Sequence, residues 1–351
     1  MVFASKKLCD FSDTEIEADA AGWYHPGRHG RYLQKPEAIS EMNARENYLE
    51  AIRFGRPAYV PMAHEPIWHK FELEGNYRGA NWTDHWGVRW EVGIEGTVPF
   101  PKGNPLPDLD RLADYRAPDP GGLVFTEEMK KALSELDRGE KLVQGSLTYL
   151  LFERAWAIMG MENFLESLVT RPAEAHAFLR GVASYARAVF DRYIEMGVDA
   201  IGFSEDLGSQ RALMISPVMF REFLLPEYRY IFETALREKK LIMFHSCGCV
   251  DSIAAELAGI GVSVLNPIQA RANNLLKIKG DTFGRMALQG GIDTGLLVSG
   301  APSDVRRETL RVLEILKPGG GYICGPDQSI PGIPSENMEC LWATAREAGR
   351  Y

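Results

Sequence analysis

The chain alternates between two apolar patterns. In the first, hydrophobic residues follow one another with little polar interruption, as in Lys141–Leu147, Val198–Ser204, Lys240–His245, Val262–Asn266, Arg285–Gly290 and Gly321–Cys324. A strand covered on both faces reads this way, because neither side is left to water. In the second, apolar residues recur every three or four positions, giving helices with one buried stripe at Glu127–Asp137, Arg171–Met196, Pro217–Lys239, Val250–Gly259 and Ser303–Leu316. Pro226 lies inside the third of these and predicts a bend or break, since it lacks an amide donor and crowds the preceding turn. From Asn43 the run NARENYLEAIRFG predicts a further helix that stops at Gly55, after which Pro57–Ala63 reads as a strand. Seven strands with room for an eighth, interleaved with helices, predict the α/β class: a closed (β/α)8 barrel of the TIM type.

Two stretches fall outside this rhythm. Residues 1–45 are polar, rich in Gly, His and Tyr, and carry a predicted helix from Pro36; they read as an N-terminal helical extension on a barrel domain of residues 46–351. The segment Trp82–Pro105 reads as a small β-hairpin insertion, WGVRWEVGIEGTVPF, followed by the Pro-rich crossing LPDLDRLADYRAPDPGG.

Composition narrows the function. A net charge of −9 over 351 residues argues against nucleic acid, whose phosphates require a basic surface. No apolar run approaches the roughly 18 residues of a membrane span, and the first residues lack a signal-peptide core, so a cytoplasmic location is expected. The five cysteines are too few and too unevenly placed for a disulfide framework. Cys9 and Cys340 read as small buried residues. Neither GxGxxG nor GxxxxGK[ST] occurs, and Gly319–Gly321 precedes a strand, so it is a turn and no phosphate loop.

The stretch LIMFHSCGCV carries the most chemistry. His245 and Cys247 stand two apart at the end of an apolar strand, so they face the same way. Gly248 then allows the turn away, and in a barrel that end of the strand holds the active site. Cys324 closes a second apolar run, GYICGP, before a Gly-Pro turn. One imidazole and two thiolates make a zinc set with a fourth position open to substrate; the alternative is a buried His and two buried Cys. Cys249 is a rival ligand. In DAIGFSEDLGSQ, Glu205 and Asp206 follow another strand, as catalytic proton donors or a weak fourth ligand, or else as helix caps. His64 and Glu65, after the first strand, point to the same mouth as substrate-binding candidates, together with Tyr149 and Gln210 after later strands. Trp68, Trp82, Trp86 and Trp90 either wall a flat pocket or pack in the core.

With these residues in view, the chain after about Asn43 resembles the uroporphyrinogen decarboxylase superfamily. The stretches that carry the likeness are DHWGVRW, FERAW with GMENFLESL, GFSEDLGSQ with ISPVMFREFLLPEY, FHSCGCV, VLNPIQ, LQGGIDTGLLVSG and GGGYICGPDQSIPGIPSEN. The resemblance implies a (β/α)8 barrel. Metal-free decarboxylases of that family carry an arginine-rich segment ending in a GRYLPEY-like motif, and GRHGRYLQKPEA at Gly27–Ala38 is only superficially similar. The corrinoid-linked methyltransferase branch carries His-x-Cys and a distant Cys as zinc ligands, at positions matched here by His245, Cys247 and Cys324. That branch implies Zn2+, a small-molecule methyl donor and a corrinoid (cobalamin) carried by a partner protein; a homodimer is also admitted. One type gives methyl to a thiol such as coenzyme M, with Arg211 or Arg271 available for a sulfonate. The other demethylates a methoxylated donor, which the tryptophan-rich insertion favours. O-demethylation is the expected activity, with thiol methylation and metal-free decarboxylation as alternatives.

Overall fold

The computed structural model describes residues 42–72, 81–93, 99–122, 127–328, 330 and 332–351. The predicted extension up to residue 41, with its helix from Pro36, and Cys9 lie outside the described residues.

In chain order the elements begin with α1 (Ala44–Ile52) and β1 (Ile67–Glu72), then β2 (Trp82–Thr83), β3 (Arg89–Glu91) and β4 (Phe100–Gly103). After α2 (Glu127–Glu135) come β5 (Lys141–Leu147), α3 (Phe152–Met159), α4 (Met161–Thr170), α5 (Pro172–Glu195) and β6 (Ala200–Ser204). A short α6 (Pro217–Met219), a π turn at Phe220–Leu224 and α7 (Leu225–Arg237) lead to β7 (Leu241–His245), α8 (Ala254–Gly259) and β8 (Val264–Ile268). The chain ends with α9 (Leu275–Thr282), β9 (Ala287–Ile292), α10 (Thr294–Ser299), α11 (Pro302–Leu316), β10 (Tyr322–Pro326) and α12 (Ser335–Ala348). Pro226 explains the interruption of the long predicted helix. It has no amide to donate, and the ladder widens just before it, where the Leu225 N–H bonds back to the Phe220 carbonyl.

Seven strands form one parallel sheet in the order β1-β5-β6-β7-β8-β9-β10. Trp68 on one edge strand and Ile323 on the other share a single apolar cluster with Leu142, Ala200, Met243, Val264 and Ala287, so the sheet is curled around its own interior. Tyr48, Leu49 and Ile52 of α1 join that cluster and close its lower end; the Tyr48 ring stands edge-on to Trp68 at 5.7 Å. The Asn43 side chain caps α1 and Glu46 reaches back to complete the capping box.

Of the seven expected strands, the first, Pro57–Ala63, is corrected. Pro57–Ala63 forms no ladder: Met62 makes one parallel bridge to Cys324, with Cys324 N–H donating to Pro61 and Ala63 N–H donating to Cys324. Pro57 and Pro61 each remove an amide that a longer ladder would use. The edge strand beside β5 is instead Ile67–Glu72, which the apolar pattern does not mark. A barrel-like parallel sheet is present, without a continuous eight-strand closure among the described residues.

The predicted hairpin insertion is a three-stranded antiparallel sheet, β2-β3-β4. Asp84 organises it. Its Oδ1 accepts from the Trp86 and Val88 amides, and its Oδ2 accepts from Trp90 Nε1 at 2.9 Å and Arg154 Nη1 at 2.7 Å. Arg154 lies on α3, so this buried ion pair fastens the insertion to the carboxyl end of β5.

Candidate metal centre

Strand alternation decides which residues enter the interior. On β6, Ala200 belongs to the interior cluster while Ile201 and Phe203 belong to the outer core beneath the helices. Continuing the alternation turns Ser204 and Asp206 inward and Glu205 outward. On β7, Met243 is interior and Phe244 outer, so His245 and Cys247 turn inward and Ser246 outward. The register pairs Ser204 with His245 and His245 with Asn266. Above the apolar floor, the inward positions are therefore polar: Lys70, Gln144, Ser146, Ser204, His245, Asn266 and Gln289.

Asp206, His245 and Cys247 converge there. All three are half-buried, and their donor atoms lie within 4.8 Å of one another. Cys247 Sγ is 3.6 Å from His245 Nε2, which is 3.7 Å from Asp206 Oδ1. Tetrahedral bonds of ordinary zinc–sulfur, zinc–nitrogen and zinc–oxygen length separate such ligand atoms by about 3.4–3.6 Å, so the group is already spaced to hold zinc. The Cys247 amide donates to Asp206 Oδ1 at 2.8 Å and fixes that carboxylate. Asn266 hydrogen-bonds the His245 ring and so orients it. Gly248, at φ +83°, lets the chain turn directly under Gly208, whose carbonyl would stand 2.1 Å from any Cβ placed there.

The electrostatics fit a cation as well. Burial, then the Asp206 carboxylate, push the Cys247 thiol well above its ordinary range. Burial lowers His245, opposed by Asp206 and assisted by the Lys70 ammonium. A dication among these groups reverses the penalty on the thiol, since a coordinated thiol is deprotonated outright.

The remaining sequence-derived residues separate clearly. Cys324 is fully buried, belongs to the outer core, and hydrogen-bonds Tyr322, whose hydroxyl donates to the Gly290 carbonyl. Its neighbour Ile323 is the inward residue of β10, so Cys324 faces the helices and is not in the metal group. Burial raises its thiol to about 12. Glu205 is fully buried and accepts the amides of Leu151, Phe152 and Glu153 together with the Tyr228 hydroxyl. It therefore caps α3 from beneath, with burial raising it to about 7. His64 stands edge-on to Trp342 of α12, and Glu65 is bonded to Tyr59, so neither reaches the mouth. Cys249 turns toward Asp251 at 3.9 Å, and Cys340 donates to the Pro302 carbonyl. Arg271 is paired with Asp293 at 2.6 Å.

Gln210 and Tyr149 lie near the metal group. Gln210 shares the Gln269 Oε1 acceptor with the Gly248 amide, beside the Cys247 turn. Tyr149 has its phenol raised by burial and by the nearby Glu153 and Asp206 carboxylates. Its ring packs on Trp90 at 4.7 Å and Trp156 at 6.3 Å, and Trp90 stacks on Trp82 at 5.9 Å. Trp68, Trp86 and Trp90 are core.

Two residues of the site carry no signal in the sequence. Glu153, on the first turn of α3, is buried with Oε2 unbonded, and burial with the Asp206 and Glu205 carboxylates pushes it well above the carboxylic range. Gln328, just past β10, donates from Nε2 to Cys247 Sγ at 2.9 Å. An amide belongs to no familiar ligand spacing, and Glu153 lies inside an amphipathic helix.

Residues 95–348 match uroporphyrinogen decarboxylase (URO-D). A methylated-thiol–coenzyme M methyltransferase of Methanosarcina mazei is 23% identical over 343 residues, covering 88% of this chain and 90% of that protein. Among solved structures, a methyltransferase from Methanosarcina mazei superposes with a TM-score of 0.65 at 16% identity, covering 88% of this chain and 99% of the other. That likeness shows a shared fold over most of the chain. The chain belongs to the uroporphyrinogen decarboxylase family.

Proposed function

We propose that this protein is a zinc-dependent methyltransferase that takes a methyl group from a methoxylated aromatic donor and delivers it to the Co(I) centre of a corrinoid carried by a partner protein. The observation that carries this reading is the Asp206–His245–Cys247 group at the carboxyl end of the sheet, with Tyr149 beside Asp206. Zinc held there supplies Lewis acidity, drawing charge from an ether oxygen as its methyl carbon is attacked. The chain's own part is positioning. Asn266 and the Cys247 amide hold the imidazole and carboxylate in place, and Tyr149, backed by the buried Trp90, places an aromatic side chain beside Asp206. Burial, then the Asp206 and Glu205 carboxylates, raise Glu153, which favours its holding a proton beside Asp206. The C–O electron pair leaves with the oxygen, which takes a proton; the acceptor's two electrons make the new bond to carbon.

A donor set with one thiolate, one carboxylate and one imidazole is harder than one with two thiolates, which suits an oxygen substrate. The relative that acts on methylated thiols favours a second reading, in which sulfur replaces oxygen at the same site.

The test is a spectroscopic assay of the zinc-loaded protein with Co(I) cobalamin. Methoxybenzenes should methylate it, while methylthiols should do so slowly or not at all. Activity with methylthiols alone moves the assignment to the second reading. Release of CO2 from a porphyrinogen, with no bound zinc, sinks both.

A further inference from the structure

Three protein donors leave a tetrahedral zinc one ligand short. A further side chain, from just past the end of β10, lies against one of the three donors. The backbone of Gln328 is fastened at both ends to a single hydroxyl: its N–H donates to Thr294 Oγ1 at 2.8 Å, and Thr294 Oγ1 donates to its carbonyl at 2.8 Å. The preceding residue is tied down as well, with Asp327 N–H donating to Ile292 and Asp327 Oδ1 accepting from the Gly291 amide. The Gln328 side chain thus leaves a fixed base and ends 2.9 Å from Cys247 Sγ.

An amide presents a donor and an acceptor of nearly the same shape, exchanged by a half-turn about its last bond. With Nε2 toward Cys247 it donates to the sulfur. With the amide reversed, Oε1 occupies the same place, within a small rotation of the spacing two zinc ligands require. We propose that Gln328 Oε1 is the fourth, exchangeable ligand of the substrate-free site, and that it turns back to donate to Cys247 when substrate takes its place. This rests on the zinc reading given above. Its consequence is electrostatic. Zn2+ with Asp206, Cys247, His245 and a neutral amide carries no net charge, and exchange for a neutral ether oxygen keeps it so. The donated hydrogen bond then withdraws density from the thiolate and leaves the metal more acidic toward that oxygen.

The proposal is tested on the full-length protein loaded with Co(II), with zinc affinity read by chelator competition. In a Cys324→Ser background, Gln328→Cys should roughly double the thiolate-to-cobalt charge-transfer intensity and tighten zinc at least tenfold. Gln328→Ala should weaken zinc on the order of tenfold and change the ligand-field bands, while circular dichroism stays as in the parent. Adding 2-mercaptoethanol should shift the parent bands toward those it produces with Gln328→Ala. A folded Gln328→Cys protein with single-thiolate intensity, or a Gln328→Ala spectrum like the parent's, overturns the role of Gln328 alone. A parent that takes up neither zinc nor cobalt overturns this proposal together with the zinc reading.

Discussion

The carboxylate of Glu205 receives three backbone amides and the Tyr228 hydroxyl in a site closed to water. A glutamine side chain in its place has one acceptor oxygen and turns N–H groups toward donors, so at least one amide at the start of α3 loses its partner. Glu205→Gln should therefore cost about 1–3 kcal/mol of stability in urea denaturation, with zinc stoichiometry unchanged. Asp206→Asn should do the reverse: near-normal stability of the metal-free protein, and loss of much of the zinc affinity. Equal effects of both substitutions on zinc would mean that the division between them is wrong. This pair also measures what the sequence can tell. The spacing of His245 and Cys247 fixes their common direction, because alternation is a relative rule. It does not say which of two adjacent residues, Glu205 or Asp206, turns inward. In a parallel sheet both faces are apolar, so the absolute phase of a strand is hidden. The same ambiguity made Cys324 look like a ligand, although Ile323 is the residue on its strand that faces the interior.

At the level of elements, six of the seven sheet strands stand out as apolar runs, and the helices between them as periodic ones. The strand that escaped, β1, carries His69 and Lys70, and its Lys70 faces a polar interior layer, so hydrophobicity could not mark it. The insertion was legible as β structure but not as to what holds it. Its anchor is Asp84, whose side chain is 7% exposed and faces Arg154 at 4%. The guanidinium also lies over the rings of Trp86 and Tyr149 at 5.2 and 5.8 Å. Removing the acid leaves a buried cation and an unbonded Trp90 indole. Asp84→Ala should destabilise the protein by about 3–5 kcal/mol, the usual cost of breaking a buried pair from one side. Because Arg154 also donates to the Tyr149 and Thr148 carbonyls, Tyr149 should loosen with it, raising KM for an aromatic donor more than it lowers kcat. Unchanged stability would show that water reaches Arg154 once the acid is gone.

On the scale of the whole molecule, the seam between the first and last strands is covered by the C-terminal end of the chain. Val60 N–H donates to Gly349, Tyr351 N–H donates to Ala58, and Tyr59 pairs with Arg350, which brings α12 over residues 58–65. His64 is wedged there against Trp342, with Nδ1 buried and unbonded. Burial, and then the Arg346 charge, lower it from its ordinary value near 6.5 to about 4. The folded protein thus keeps this imidazole neutral at pH values where the unfolded chain protonates it. Stability from this group is whole above pH 6.5 and is lost as pH falls toward 4, because there the unfolded state binds the extra proton. At about 1.4 kcal/mol per pKa unit, the full loss is on the order of 3 kcal/mol. His64→Phe keeps the ring against Trp342 and removes the titration, so the difference in unfolding free energy between the two proteins should widen in favour of the phenylalanine variant as pH drops from about 7 to about 4. Parallel curves across that interval would mean that His64 is solvated in the native state and that the seam closes independently of acid.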